Sequence, residues 1–187
     1  MTRFFYKDIV LEIPDSVYAP REDSLMLAEL LEMEKPCKVL DMGCGSGFLG
    51  ILLAKRGFTV LAVDLNPEAV DITNKNKAIN FVDFAVVLSD LFENVKDVFD
   101  LIVFNPPYLP NDAPVDLQWS GGIELIRKFL LDARNHLAKD GKILFLISTL
   151  TSEKETIDAI EKNGYKYKIL ARKKVPWEEL VVFELRK

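Results

Sequence analysis

Histidine is almost missing from this 187-residue chain, where His136 stands alone. Histidine-based catalysis and a histidine-rich metal site are thereby excluded. His136 falls near the end of a helix predicted over Ile123–Leu137, where it fits beside the last carbonyls. Cysteine is nearly as scarce: Cys37 and Cys44 make neither a CxxC nor a disulfide framework. Positive charge is in deficit, with 24 Lys and Arg against 29 Asp and Glu and a net charge of −5. That balance argues against a broad nucleic-acid or lipid-headgroup footprint. No apolar run reaches membrane-spanning length, and charge enters the first residues too early for a signal-peptide core. The expected location is the cytoplasm. Repeats, low-complexity tracts and Gly/Ser linkers are absent as well.

What remains suits a single domain over residues 1–187, since 49% of the chain is hydrophobic and can bury one substantial core. Ser24 is placed to cap a helix whose apolar positions are Leu25, Leu27, Ala28, Leu30 and Leu31. Strands are predicted at Lys38–Asp41, Thr59–Val63, Ala85–Leu88, Leu101–Phe104 and Ile143–Ile147. Helices fall between them, at about 48–55, from Pro67 to about Asn80, at 123–137 and at 152–162. Tyr165–Ala171 and Glu179–Leu185 are two further strands, joined too tightly for a helical crossover and therefore antiparallel. The pattern is α/β: a doubly wound, mostly parallel seven-stranded sheet with one antiparallel strand.

Asn105-Pro106-Pro107-Tyr108 follows the apolar run Phe99–Phe104. The paired prolines cannot continue a ladder, and they hold the residue before them extended. Asn105 is thus presented stiffly at a strand's carboxyl end, where open α/β sheets keep their ligands. Its side-chain oxygen can accept one N–H of a planar –NH2 group, and the Pro106 carbonyl can accept the other. The bland alternative is a strand that ends in a rigid turn.

Asp41-Met42-Gly43-Cys44-Gly45-Ser46-Gly47 lies between the first of these strands and the next helix. Its glycines allow a tight turn and a close ligand approach. The spacing is GxGxG and not the GxGxxG of dinucleotide sites. Asp64 ends the next strand and can accept both hydroxyls of a ribose, while Asp90 follows the third and can take an exocyclic amine. Three acids without a loop lysine repel a pyrophosphate and suit a cationic ligand such as S-adenosylmethionine. Any one of these aspartates could be a loop starter or helix cap; all three at successive strand ends point to a site.

With these residues the chain resembles the class I S-adenosylmethionine-dependent methyltransferases. Tyr18-Ala-Pro-Arg-Glu22-Asp23-Ser24, the glycine loop and Asn105-Pro-Pro-Tyr together resemble the HemK-like glutamine methyltransferases. Those enzymes act on the Gly-Gly-Gln loop of class 1 peptide-chain release factors. With about one helix before the core, the chain is more similar to the short archaeal and eukaryotic branch, and Trp119-Ser-Gly-Gly122 resembles that branch's substrate-side loop. The resemblance implies that residues 1–35 pack on the cofactor site. It implies that Asp41, Gly43 and Gly45 line the methionine part, Asp64 holds the ribose, and Asp90 with the Leu91 backbone holds the adenine. Ser24 would reach the cofactor, supported by Glu22 and Asp23. Asn105 and Pro106 would grip the glutamine amide, with Pro107, Tyr108 and Trp119 around it. The loop from Leu109 to Gly122 is shorter than expected for the branch. The same likeness implies a small zinc-binding activator protein added as a strand at the Ala85–Leu88 edge. Packing of Val86 and Val87 under the chain's own helices is the alternative there.

Two other functions compete. Asn105 could equally grip the exocyclic amine of adenine in DNA or RNA, although the acidic balance and the lack of a second reading domain oppose it. A non-catalytic cofactor-binding subunit is the other, opposed by the intact Asn105-Pro-Pro-Tyr. Lys166, Lys168, Arg172, Lys173 and Lys174 alternate with Tyr165, Tyr167 and Ile169, as one wet strand face or as a contact with a charged partner.

Overall fold

The computed structural model describes residues 1–107 and 122–187, in two compact units, Met1–Val95 and Lys96–Lys187. The first unit begins with β1 (Thr2–Tyr6) and β2 (Ile9–Ile13), an antiparallel hairpin. Sequence reading did not anticipate this hairpin, though Ile9, Leu11 and Ile13 alternate as a half-buried strand should and are all buried. The turn needs one residue of positive φ, and Lys7 supplies it at 52°.

There follow α1 (Glu22–Leu31), β3 (Lys38–Met42), α2 (Phe48–Lys55), β4 (Thr59–Asp64), α3 (Pro67–Ile79) and β5 (Ala85–Leu88). β3, β4 and β5 pair in parallel. α1 starts at Glu22, three residues earlier than a Ser24 cap requires, so Ser24 lies inside the helix and is not its cap. The cap position is Arg21, which makes no side-chain cap bond; within the first turn, Asp23 Oδ1 accepts the Ser24 N–H at 2.6 Å and the Ser24 hydroxyl at 3.2 Å. α3 starts as predicted: Asn66 accepts the Glu68 N–H and Pro67 opens the first turn.

The second unit contains β6 (Phe99–Phe104), α4 (Gly122–His136), β7 (Leu137–Ser148), α5 (Glu153–Lys162), β8 (Lys166–Val175) and β9 (Glu178–Arg186). β6 and β7 are parallel, while β9 runs antiparallel to both β7 and β8. A ladder of rings fixes α4 on these strands. Phe129 stands 4.5 Å from Phe104 and 6.3 Å from Phe145, which lies 5.9 Å from Phe183. β7 starts earlier than predicted because Leu137 already pairs with Phe99; the register then shifts so that Lys142 pairs with Leu101. His136 ends α4 as expected, and its Nδ1 lies 3.0 Å from the Asp97 carbonyl.

The strand order of the seven-stranded sheet is β5-β4-β3-β6-β7-β9-β8, with β9 the one reversed strand. β5 is an end strand, and its Val86 and Val87 are half-buried. At the other end, β8 is exposed along most of its length and not on one face only. Tyr165 falls outside β8: it is buried, and its hydroxyl donates to the Leu130 carbonyl at 3.0 Å. Among the described residues, no helix is long and apolar enough to cross a membrane.

Candidate active site

The glycine loop is built by the strand beside it. The N–H groups of Gly43 and Cys44 both donate to the Val63 carbonyl, at 2.8 and 3.0 Å, which turns the chain sharply at the end of β3. Gly43, Gly45 and Gly47 all have positive φ. At Gly47 the requirement is double, because φ is +82° and a Cβ there would lie 2.9 Å from Thr73 Cγ2. Thr73 reaches back from α3, its hydroxyl donating to the Gly45 carbonyl at 3.0 Å.

Asp64, at the end of β4, closes the loop. Its Oδ2 accepts the Gly45 N–H at 2.8 Å and its Oδ1 accepts the Asn66 N–H at 2.9 Å. The Leu65 backbone N–H also bonds this carboxylate, and the lone-pair capacity that remains can accept a ligand hydroxyl. Burial raises the pKa of this carboxyl, and the backbone N–H groups pull it back in part.

Asp41 differs. It is buried in β3, it takes the Gly50 N–H, and its Oδ2 has no hydrogen-bond partner among the described residues. Burial first, and the Asp64 charge with it, push the carboxyl up to about 7. A buried acceptor left this way costs free energy until a donor or a cation arrives. A side chain at Gly50 would crowd that oxygen, since a Cβ would stand 3.1 Å from it.

Tyr18, Asp23 and Ser24 form a third group. The Tyr18 hydroxyl donates to the buried Asp23 carboxylate at 2.7 Å. Tyr18 also presents its carbonyl toward the loop, 3.9 Å from where a Cβ on Gly45 would lie. Ser24 is buried beside Asp23, whereas Glu22 is exposed. After β5, the Ser89 N–H donates to the Asp64 carbonyl at 2.9 Å and its hydroxyl to the Leu91 carbonyl at 2.8 Å. Leu91 is thereby held at φ 47° and buried, and Asp90 next to it is half-buried.

Sequence reading did not give Tyr18, Thr73 and Asn76 individual roles. The only available signal was polar residues at i, i+3 on α3, and that spacing also describes a wet helix face.

In the second unit, Asn105 follows directly on the buried end of β6; it is half-buried, Pro106 is buried and Pro107 half-buried. Tyr108 and Trp119, with the segment 109–121, lie outside the described residues.

The methyltransferase small domain matches residues 21–174 of this chain. Over 184 residues, the chain is 41% identical to a provisionally named protein N5-glutamine methyltransferase of Methanocaldococcus jannaschii, with 93% of each covered. It is 32% identical over 157 residues to the release factor glutamine methyltransferase of Lactococcus lactis, covering 74% of this chain and 58% of that one. A solved structure, the E. cuniculi Mtq2–Trm112 complex responsible for methylation of the eRF1 translation termination factor, is similar with a TM-score of 0.73 and 29% identity. It covers 92% of this chain and 99% of its own.

Proposed function

The chain belongs to the methyltransferase small-domain family, and from that premise we propose that it methylates the side-chain amide nitrogen of a glutamine. The acceptor is the Gly-Gly-Gln motif of a class 1 peptide-chain release factor, and the methyl donor is S-adenosylmethionine. The observation that carries the donor is Asp41 Oδ2, a buried acceptor with no hydrogen-bond partner among the described residues. A ligand with an amino group and a positive sulfur relieves that cost, whereas a pyrophosphate would add to it. The acceptor follows from relatives named for glutamine methylation, one of them matched over 93% of both chains, and from a structural relative responsible for methylation of the eRF1 termination factor.

S-adenosylmethionine supplies a methyl group already activated on a cationic sulfur, so the protein's task is to hold and orient. In this reading Asp41, Gly43 and Gly45 hold the methionine end, and Asp64 holds the ribose. Asp90 and the Leu91 backbone hold the adenine, and Ser24, braced by Asp23, closes on the ligand. An amide nitrogen is a weak nucleophile, and alignment can contribute about 7–11 kcal/mol. Asn105 and the Pro106 carbonyl take the two amide N–H groups, fix the amide plane and favour the positive charge that develops on nitrogen. The nitrogen gives up its proton after transfer, when it is acidic, so no general base is required. Residues 1–187 act as one cytoplasmic methyltransferase domain, with the first 35 residues packed on the cofactor site.

The E. cuniculi relative was solved as a complex with Trm112. We extend this to a small zinc-binding activator added as a strand at the Ala85–Leu88 edge. Support comes from β5 standing at the end of the sheet with Leu88 48% exposed.

The test is transfer of labelled methyl to a release factor with its Gly-Gly-Gln glutamine intact or replaced, and in parallel to adenine-containing oligonucleotides. Each reaction is run with and without the activator. Label confined to the intact glutamine is the expected result. Label in the oligonucleotide alone overturns the acceptor and leaves the same asparagine serving adenine.

A further inference from the structure

Two asparagines of α3 treat β2 as a neighbouring strand would. Asn80 Oδ1 accepts the Val10 N–H at 3.0 Å, and its Nδ2 donates to the Val10 carbonyl at 2.7 Å. Asn76 does the same to Glu12, at 2.9 and 3.0 Å. A side-chain amide has the donor and acceptor of a peptide group, so each can complete one rung of a ladder. Four helix residues rise about 6 Å, and two strand residues advance about 6.8 Å. That near match lets the i, i+4 pair address alternate residues of β2. Both asparagines are buried, where an unmet amide would be costly.

Asn76 does one thing more. Its Nδ2 carries a second hydrogen, which goes to the Ser46 carbonyl at 2.9 Å, inside the glycine loop. Phe48, the residue that opens α2 directly after that loop, meets Phe4 and Tyr6 edge-on with ring centroids 5.3 and 5.2 Å away. The hairpin is therefore linked to the end of the loop in two ways, through the Asn76 amide to Ser46 and through ring contacts with Phe48 just after it. It also lies entirely before residue 21, where the match to the family begins.

We infer that Asn76 is a positioning residue that couples the N-terminal hairpin to the glycine loop, making β1–β2 part of the cofactor site. This rests on the reading that the loop holds S-adenosylmethionine. With Glu12 fixing one side of the Asn76 amide, the remaining hydrogen is aimed at Ser46; without the hairpin the amide turns and the buried carbonyl loses its donor.

Asn80 is the internal control, since it binds β2 in the same way but sends its other amide hydrogen to the Asn76 backbone carbonyl at 2.8 Å and not to the loop. Asn76→Asp keeps size and shape while turning the donor into an acceptor; Asn76→Ala removes the group; Asn80→Ala removes the second clamp and a bond to the helix backbone but no bond to the loop. The readouts are the Kd for S-adenosylmethionine, KM and kcat separately, and hydrogen exchange at Gly43–Gly47. Both Asn76 variants are expected to raise Kd and the cofactor KM on the order of tenfold, as for one lost buried hydrogen bond, with kcat at saturation little changed and loop exchange faster. Asn80→Ala is expected to lower the melting temperature and leave Kd and loop exchange as in the wild type. Equal Kd and equal exchange in the Asn76 and Asn80 variants overturn the coupling. If the wild type fails to bind S-adenosylmethionine, the functional reading fails, and the exchange rates still decide the coupling.

Discussion

The Gly45 N–H donates to Asp64 Oδ2 at 2.8 Å, so the acid that ends β4 organises the loop that follows β3. The other oxygen of the same carboxylate takes the Asn66 N–H and starts the approach to α3. One side chain thus sets the loop and offers its remaining lone pairs outward.

Asp64→Ala is expected to free the backbone donors of Gly45, Leu65 and Asn66 and loosen the loop together with any ribose contact. Calorimetry should show cofactor affinity lower by about tenfold or more, the scale of one or two hydrogen bonds to a charged group. An unchanged Kd would remove Asp64 from the site.

Asp41→Asn should separate stability from function. Replacing a buried, incompletely bonded acid by a neutral amide is expected to raise the melting temperature of the ligand-free protein above pH 7 while cofactor binding is lost. A variant that binds as tightly as the wild type would sink the assigned role.

The pH dependence follows with a definite sign. The folded Asp41 carboxyl titrates near 7 against an ordinary 3.8, so between these values the native state holds a proton that the unfolded chain has released. Stability from this group is full below about pH 4 and is lost as pH rises toward 7; Asp64, also raised, acts in the same direction. The total is on the order of a few kcal/mol. A cationic ligand prefers the ionised form, so cofactor affinity should instead rise through about pH 7. Melting curves of wild type and Asp41→Asn across pH 5–8 isolate the first effect, and titrations of the wild type measure the second. A Kd that stays flat with pH contradicts it.

Gly47→Ala combines a left-handed backbone with a Cβ pressed on Thr73. A loss of about 2–4 kcal/mol is expected in denaturant unfolding. Adding Thr73→Ser removes Cγ2 and should recover part of the steric loss, since Oγ and Cβ remain at 3.0 and 3.2 Å, and none of the backbone part. If the single variant is as stable as the wild type, the loop geometry is wrong.

Asn105→Ala is expected to cut turnover by two or more orders of magnitude, in the range seen when one preorganised donor or acceptor is removed from a reacting group. Cofactor Kd should stay within about twofold, well under the effect of one lost hydrogen bond. Near-normal turnover would sink the amide-gripping role.

Much of the fold could be read from local patterns. β3, β4, β6 and α2 sit where apolar runs and their glycine or proline boundaries place them, because strand period and turn chemistry act within a few residues. The reversed β9 was legible for the same reason, its connection to β8 being too short for a crossover. Ser24 reads as a cap in the sequence because the polar run Arg21–Ser24 does not say where the helix begins; the helix starts at Glu22 and buries both Asp23 and Ser24. β8 was expected to have one dry face, but an end strand lacks a neighbour to cover it.

By itself the sequence determined the element types, the glycine loop, the acids after successive strands and the rigid Asn105-Pro-Pro. These are set by backbone chemistry over short spans. Only tertiary structure decided that Asp41 is buried with an unmet oxygen, that Thr73 and Asn76 hold the loop, and that the first residues form a hairpin clamped by α3. Asn76 and Glu12 are 64 residues apart. Desolvation and such distant hydrogen bonds depend on what the folded chain brings together, and no local pattern encodes them.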